Sequence, residues 1–325
     1  MSWISIPNSQ NFGQASTELF VGSSGLKLRI YAGSGTAIPT GTLSAIGYDG
    51  ITTVFGALAS YPVIRSRQQT LNVYLGFDGL ESTINSTATG VKALANYDSL
   101  RVLRTGEDYA LSDMLLGADR SAINALSARL SQGLPILGAT TNGTSPTSPR
   151  QGEDASFSKI NFEASRTQTL FYPWDGGSVA LMGLFAGQWT DDILPPAEQF
   201  YLGGARITRG YYAGQVPGDK ALAATAELQL NTSFEVNTFG ISGDVSTQFY
   251  AFYDWGETWQ NLATDHAAMI NSAGGGVRMQ ITRYTELDLE GLVRFNKFPT
   301  GGNTPGSGVT PLNGAGFYWR ILGRF

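Results

Sequence analysis

From Leu71 to Asp78 every second residue is apolar: Leu71, Val73, Leu75 and Phe77 alternate with Asn72, Tyr74, Gly76 and Asp78. Successive side chains of a strand point to opposite faces, so this is the pattern of a half-buried β-strand. The same parity recurs along the chain. Leu222, Ala224, Ala226, Leu228 and Leu230 oppose Thr225, Glu227 and Gln229. Leu287, Leu289, Val293 and Phe295 oppose Glu286, Asp288, Glu290 and Arg294, and Phe317, Trp319, Ile321 and Phe325 oppose Arg320 and Arg324. In each strand the charged groups keep to one side. A soluble sandwich also alternates, but its apolar face is a core and does not end so regularly in tyrosine and tryptophan. A band facing lipid does.

Composition supports the membrane reading. Only 14% of the 325 residues are charged, against roughly 25% in ordinary soluble domains. Even so, no run of about 18 apolar residues could cross a bilayer as a helix. Low charge, 41 glycines and abundant aromatics fit an all-β, antiparallel transmembrane β-barrel, whose strands hide apolar residues at alternate positions. With no cysteine there is neither a disulfide framework nor a thiolate metal site. A net charge of −5 gives no footprint for nucleic acid.

Thirteen strands are expected, centred near residues 18, 29, 58, 74, 104, 126, 164, 183, 226, 251, 276, 291 and 321. The fifth, around 100–111, has the poorest parity. Tight turns at 22–25, 62–67, 173–177 and 283–285 alternate with longer polar loops near 33–50, 80–98, 131–156, 188–220, 257–268 and 297–314. Outer-membrane barrels divide their two ends in this way. Bacterial single-chain barrels close with an even strand number. An odd count, a short turn after the first strand and a start without a secretory leader point to one barrel domain over 1–325, N-terminally shortened.

The loop near 188–220 holds the most unusual stretch, "FYLGGARITRGYYAGQVPGD", Phe200 to Asp219. Gly203, Gly204 and Gly210 allow tight backbone conformations, and Arg209 offers a planar fork suited to a carboxylate. In Thr247 to Gly256, Phe249, Ala251, Tyr253 and Trp255 share the lipid parity, leaving Phe252 and Asp254 on the other face. Catalysis has little support. His266, the single histidine, sits in the polar loop near 257–268 without a nucleophile motif. Asp191 and Asp192 are loop neighbours that solvate, and Arg65 and Arg67 mark a solvated turn. Glu286, Asp288 and Glu290 read as a hydrated lumen wall. Trp174, Trp189, Trp255 and Trp319 suit interfacial girdles. No catalytic residue, metal or cofactor is indicated.

The segment from Leu194 to Leu230 resembles the sixth external loop and following strand of the two-partner secretion transporters, the TpsB proteins of the ShlB/FhaC/HecB group. Their F-x-LGG element corresponds to Phe200, Leu202, Gly203 and Gly204. The R-G-Y element corresponds to Arg209, Gly210 and Tyr211, followed by Gly218-Asp219 and a strand glutamate, Glu227. Thr208 stands where an aliphatic residue is usual. The F-x-D element is matched by Phe252 and Asp254, with Gly256 after it, and "YPVIRSR" and the terminal Phe325, an assembly signal, extend the likeness.

The resemblance implies a sixteen-stranded barrel in the outer membrane of a Gram-negative bacterium, of which these strands are the last thirteen. The long loop would fold into the lumen, Arg209 would meet Asp254, and Tyr211 would pack on Phe252. It implies type V export of a large exoprotein of adhesin, haemagglutinin or haemolysin type. Lipid and the barrel-assembly machinery would be further partners, and POTRA domains would lie upstream. A BamA-like insertase and a passive porin are the alternatives; the porin would lack the Arg209–Asp254 contact.

Overall fold

The computed structural model describes residues 2–4, 9–38, 47–88, 90–141, 143–238, 241–299 and 311–324; Phe325 lies outside them. The first strands are β1 (Ser2–Ile4), β2 (Gln10–Val21), β3 (Leu26–Ala37), β4 (Tyr48–Arg65), β5 (Gln69–Ser86) and β6 (Ala93–Asp113). Then come β7 (Ala122–Gly133), β8 (Ser158–Phe171), β9 (Ser178–Trp189) and two short strands, β10 (Phe200–Leu202) and β11 (Val216–Gly218). The last are β12 (Lys220–Thr238), β13 (Ile241–Trp259), β14 (Ala268–Thr282), β15 (Thr285–Arg294) and β16 (Ala315–Gly323). Among the described residues fourteen strands form one sheet in chain order, while β10 and β11 form a separate two-stranded pair. Each of the thirteen expected centres falls within β2–β9 or β12–β16.

The boundaries depart from the sequence reading in several places: β1 is not among the expected strands, and the loop expected at 33–50 gives Gly33–Ala37 to β3 and Tyr48–Gly50 to β4. Most of the loop expected at 80–98 is strand, because β5 runs to Ser86 and β6 starts at Ala93. The turn expected at 62–67 shrinks to 66–68, and Arg65 pairs with Thr70 instead of lying free in a turn. Pro62 cannot donate to a ladder and is tolerated where pairing slips, and the β4–β5 register shifts between Pro62 and Ile64.

The chain gathers into two compact units. The first comprises Met1–Tyr109, Ser127–Asn161 and Trp189–Gln199. Its buried cluster joins Leu100 and Val102 of β6 to Ala155, Phe157 and Leu194, so the loop after β7 lies against strand residues. The second comprises Ala110–Leu126, Phe162–Gln188 and Phe200–Phe325. There Leu202, Tyr211 and Val216 from the β10–β11 loop pack with Ala223 and Ile270.

In the second unit the two sheet faces differ as parity requires. Thr225, Glu227, Phe252 and Asp254 are buried, whereas Leu228, Phe249, Tyr253, Phe317 and Trp319 are exposed. Apolar surface of this extent has no place in water, and it is the surface a strand offers to lipid. The polar side is instead covered by the protein's own loop.

Candidate functional site: an ion-paired loop tip

The loop after β9 narrows through the β10–β11 hairpin, whose register pairs Leu202 with Val216. Beyond Leu202 the chain turns sharply. Gly203 has φ +101°, and a Cβ there would lie 2.1 Å from the Tyr212 carbonyl oxygen, so only glycine fits. Gly204, also left-handed, donates its N–H to Tyr211 O at 3.0 Å. Thr208 has φ +57°, an outlying conformation for a β-branched residue. Its hydroxyl compensates, accepting from Gly203 N–H at 2.7 Å and donating to Ile207 O at 2.6 Å.

This turn delivers Arg209 onto the polar face of β12 and β13. Its Nε donates to Asp254 Oδ2 and its Nη2 to Oδ1, both at 2.9 Å, and its backbone N–H reaches Oδ2 at 2.8 Å. Nη1 donates to Glu227 Oε2 at 2.5 Å. The guanidinium lies over the Phe252 ring, 3.5 Å from its centroid, and Ser272 Oγ donates to Arg209 O at 2.5 Å. Arg209 is 4% exposed, Asp254 0% and Glu227 1%, so each charge depends on its partner. Burial opposes the Arg209 charge, but hydrogen bonding and attraction from Asp254 and Glu227 outweigh it, leaving the guanidinium above the usual arginine pKa. Gly256 makes room for the turn: a Cβ there would sit 2.8 Å from Thr208 Cγ2 and 2.9 Å from both Leu202 methyls.

Tyr211 departs from expectation. The Phe252 face is taken by the Arg209 guanidinium, and Tyr211 enters the cluster of Leu202, Val216 and Ile270. A buried phenol needs a polar partner; the Tyr211 hydroxyl lies 2.8 Å from Asn271 O and 3.0 Å from Asn296 O. Gly210 packs toward Leu292, and its carbonyl accepts from Arg294 Nε and, at 3.3 Å, from the Tyr318 hydroxyl.

The second guanidinium at this site is Arg278 of β14, which the sequence reading missed. It donates to Glu227 Oε1 at 2.8 Å and Oε2 at 3.2 Å, and lies 3.8 Å from the Tyr250 ring centroid. Strand parity could have found it, since β14 pairs Arg278 opposite Gln248 and Ser272 opposite Asp254. The expected hydrated ladder is also corrected. The Tyr250 hydroxyl lies 3.1 Å from Asp288 Oδ1 and 3.0 Å from Glu290 Oε2, and Glu290 approaches Arg209 Nη1 at 3.9 Å. Glu286 pairs with Arg320 at 2.9 Å. Neighbouring strands supply cations, so these acids form part of an ion network. His266 is exposed, and Asp192 accepts from Ser158 N–H at 2.7 Å, a structural contact. Among the described residues no group of three or more His, Cys, Asp or Glu is placed to hold a metal.

A long-stranded antiparallel sheet, apolar and aromatic on one face and charged beneath its own loop on the other, defines the class of outer-membrane β-barrels. Residues 21–279 match the family described as "Haemolysin secretion/activation protein ShlB/FhaC/HecB". The chain belongs to that family, the TpsB outer-membrane transporters, which are not enzymes. Among solved structures it is similar to CdiB from Escherichia coli, with TM-score 0.68 and 15% identity over 97% of this chain and 53% of that one. CdiB from Acinetobacter baumannii gives TM-score 0.61 and 17% identity over 96% and 50%. BamA from Haemophilus ducreyi lacking POTRA domains 1–3 gives 0.58 and 12% over 97% and 62%. At such identities the likeness concerns the fold, and the chain spans about half the length of the CdiB chains. A search of curated proteins found no match.

Proposed function

We propose that residues 1–325 are the barrel portion of a translocation pore that exports one large partner exoprotein, of adhesin, haemagglutinin or haemolysin type, by two-partner secretion. The loop from 190 to 219 is its internal latch. In this reading the polar face of the sheet lines the lumen, and Arg209 holds the loop tip there through Asp254 and Glu227. The carrying observation is the bidentate Arg209–Asp254 pair, with neither residue more than 4% exposed. A loop residue that merely solvated would not bring its backbone N–H and guanidinium to one buried carboxylate. Membrane lipid on the apolar face and the barrel-assembly machinery are the other partners of this reading. The test is a comparison of culture supernatants by mass spectrometry from wild-type, deletion and Asp254→Ala strains. One large secreted protein should vanish on deletion and fall sharply in Asp254→Ala. Unchanged supernatants in the deletion strain would refute export, and normal export by Asp254→Ala would refute the latch.

A further inference from the structure

The stem of the same loop is fixed by charges in the first compact unit. Glu198 ends the 3-10 turn Pro196–Glu198, and its side chain is buried. Its Oε1 accepts from Arg104 Nη2 at 2.6 Å, and its Oε2 accepts from Arg104 Nη1 at 3.2 Å and pairs with Lys159 Nζ at 2.8 Å. Lys159 Nζ also donates to the Glu198 carbonyl at 2.5 Å, so β8 grips backbone and side chain together. Arg104, on β6, gives its Nε to Asp78 Oδ2 at 2.6 Å and its Nη1 to Ser131 Oγ at 3.0 Å. The Tyr31 hydroxyl donates to Asp78 Oδ1. Asp78 and Glu198 thus meet Arg104 and Lys159 from three strands and the stem. Just before this turn, Leu194 has no exposed surface, and its carbonyl accepts from Arg150 Nη1 at 3.0 Å.

We propose that Glu198 is a positioning residue that keeps the base of the loop on the wall while the tip is released, so that only the tip moves. This rests on the latch reading and extends it. Withdrawing the stem removes a carboxylate from two cations held in low dielectric, which is costly. Withdrawing Arg209 also costs, because Asp254 loses its described donors, but Glu227 stays bonded to Arg278. Withdrawing the stem instead breaks the Arg104 and Lys159 pairs together with the Lys159 bond to the Glu198 carbonyl. Between the two anchors lie Gly203 and Gly204, both at positive φ, where glycine backbone rotates with least resistance. The returning limb is held in the second unit: Asp219 is fully buried and accepts from Asn261 N–H at 2.8 Å.

The chain has no cysteine, so an introduced thiol is labelled without background, and each variant is compared with its own single-cysteine parent. Leu194→Cys reports on the stem and Thr208→Cys on the tip; both positions are 0% exposed. The probe is a membrane-impermeant maleimide applied to the full-length protein in outer-membrane vesicles, and heat-modifiable migration on gels verifies a folded barrel. Labelling follows the population of the opened segment. Arg209→Ala should speed labelling at 208 by about tenfold or more and at 194 by less than about twofold. Adding Glu198→Gln should speed labelling at 194 by about tenfold, and Glu198→Asp, which keeps the charge, should restore part of the protection. Equal exposure of 194 and 208 in Arg209→Ala would mean that the loop leaves as a whole, and the clamp idea fails. It also fails if 194 stays protected in Glu198→Gln. If Arg209→Ala leaves 208 protected, the latch reading falls, while the Glu198→Gln result still decides the clamp.

Discussion

Replacing Asp254 with alanine tests the site where its charge balance is most exposed to failure. Among the described residues, every hydrogen bond to the Asp254 carboxylate comes from Arg209: Nε, Nη2 and the backbone N–H at 2.8–2.9 Å. The substitution leaves the guanidinium with Glu227 and the stacked Phe252 ring. Removing one member of a buried pair costs about 3–5 kcal/mol, and each 1.4 kcal/mol is about tenfold in an equilibrium. The ratio of latched to released loop should therefore fall by roughly a hundredfold to a few thousandfold. Single-channel recording of the full-length protein in planar bilayers reads this ratio as the fraction of time at high conductance. Asp254→Asn keeps an acceptor oxygen without the charge and should fall between wild type and alanine. Glu290→Gln is the control: Glu290 is 3.9 Å from Arg209, and the amide oxygen of the replacement side chain can still accept from Tyr250. Its trace should match wild type. If Asp254→Ala and Glu290→Gln behave alike, the energetic reasoning is wrong, whatever the contacts suggest.

Gly256→Ala keeps both charges but places a methyl 2.8–2.9 Å from Thr208 and Leu202. Overpacking of this kind costs about 1–3 kcal/mol, so conductance should show partial release. Arg278→Gln takes one guanidinium from Glu227 while Arg209 remains; its effect on channel opening should be smaller than that of Asp254→Ala. Burial alone would raise the Glu198 pKa, but Arg104 and Lys159 outweigh it, so the folded value lies below the ordinary 4.5. The stabilisation from a depressed carboxyl is complete above the unfolded pKa and lost as pH falls through the folded one. Hydrogen exchange over 194–199, corrected for intrinsic rates, should thus stay flat above the ordinary value of 4.5 and rise only below it. A rise beginning near neutral pH would exclude Glu198 as the controlling group.

Strands and loop order were legible because parity and turn composition are local properties. Arg209 and Asp254 were expected from the likeness of their R-G-Y and F-x-D elements to the TpsB pattern, helped by the parity that sets Phe249 and Tyr253 opposite Asp254. What escaped depends on contacts distant in sequence. Arg278 reaches Glu227 across 51 positions, and Arg104 reaches Glu198 across 94. Nothing local marks Glu198, in "LPPAEQF", as more than a solvated loop acid. Thr208 shows the opposite difficulty, since local preference argues against a β-branched residue at positive φ, and only its two hydroxyl bonds explain it.

Taken together, these contacts divide the acids at the tip into two kinds. Glu227 shares two guanidiniums and keeps Arg278 when Arg209 departs, so its desolvation is offset in either state of the loop. Asp254 has Arg209 alone among the described residues and becomes an uncompensated buried charge the moment the tip lifts. The energetic asymmetry follows from strand register: Glu227 and Asp254 lie on adjacent antiparallel strands, with Glu227 opposite Phe252 and Asp254 opposite Thr225. Arg278 stands on β14 opposite Gln248, six positions before Asp254 in the chain, beyond its reach but within that of Glu227. On the latch proposal a single carboxylate carries most of the resistance to opening, and water or an incoming polypeptide that supplies Asp254 with donors would lower it.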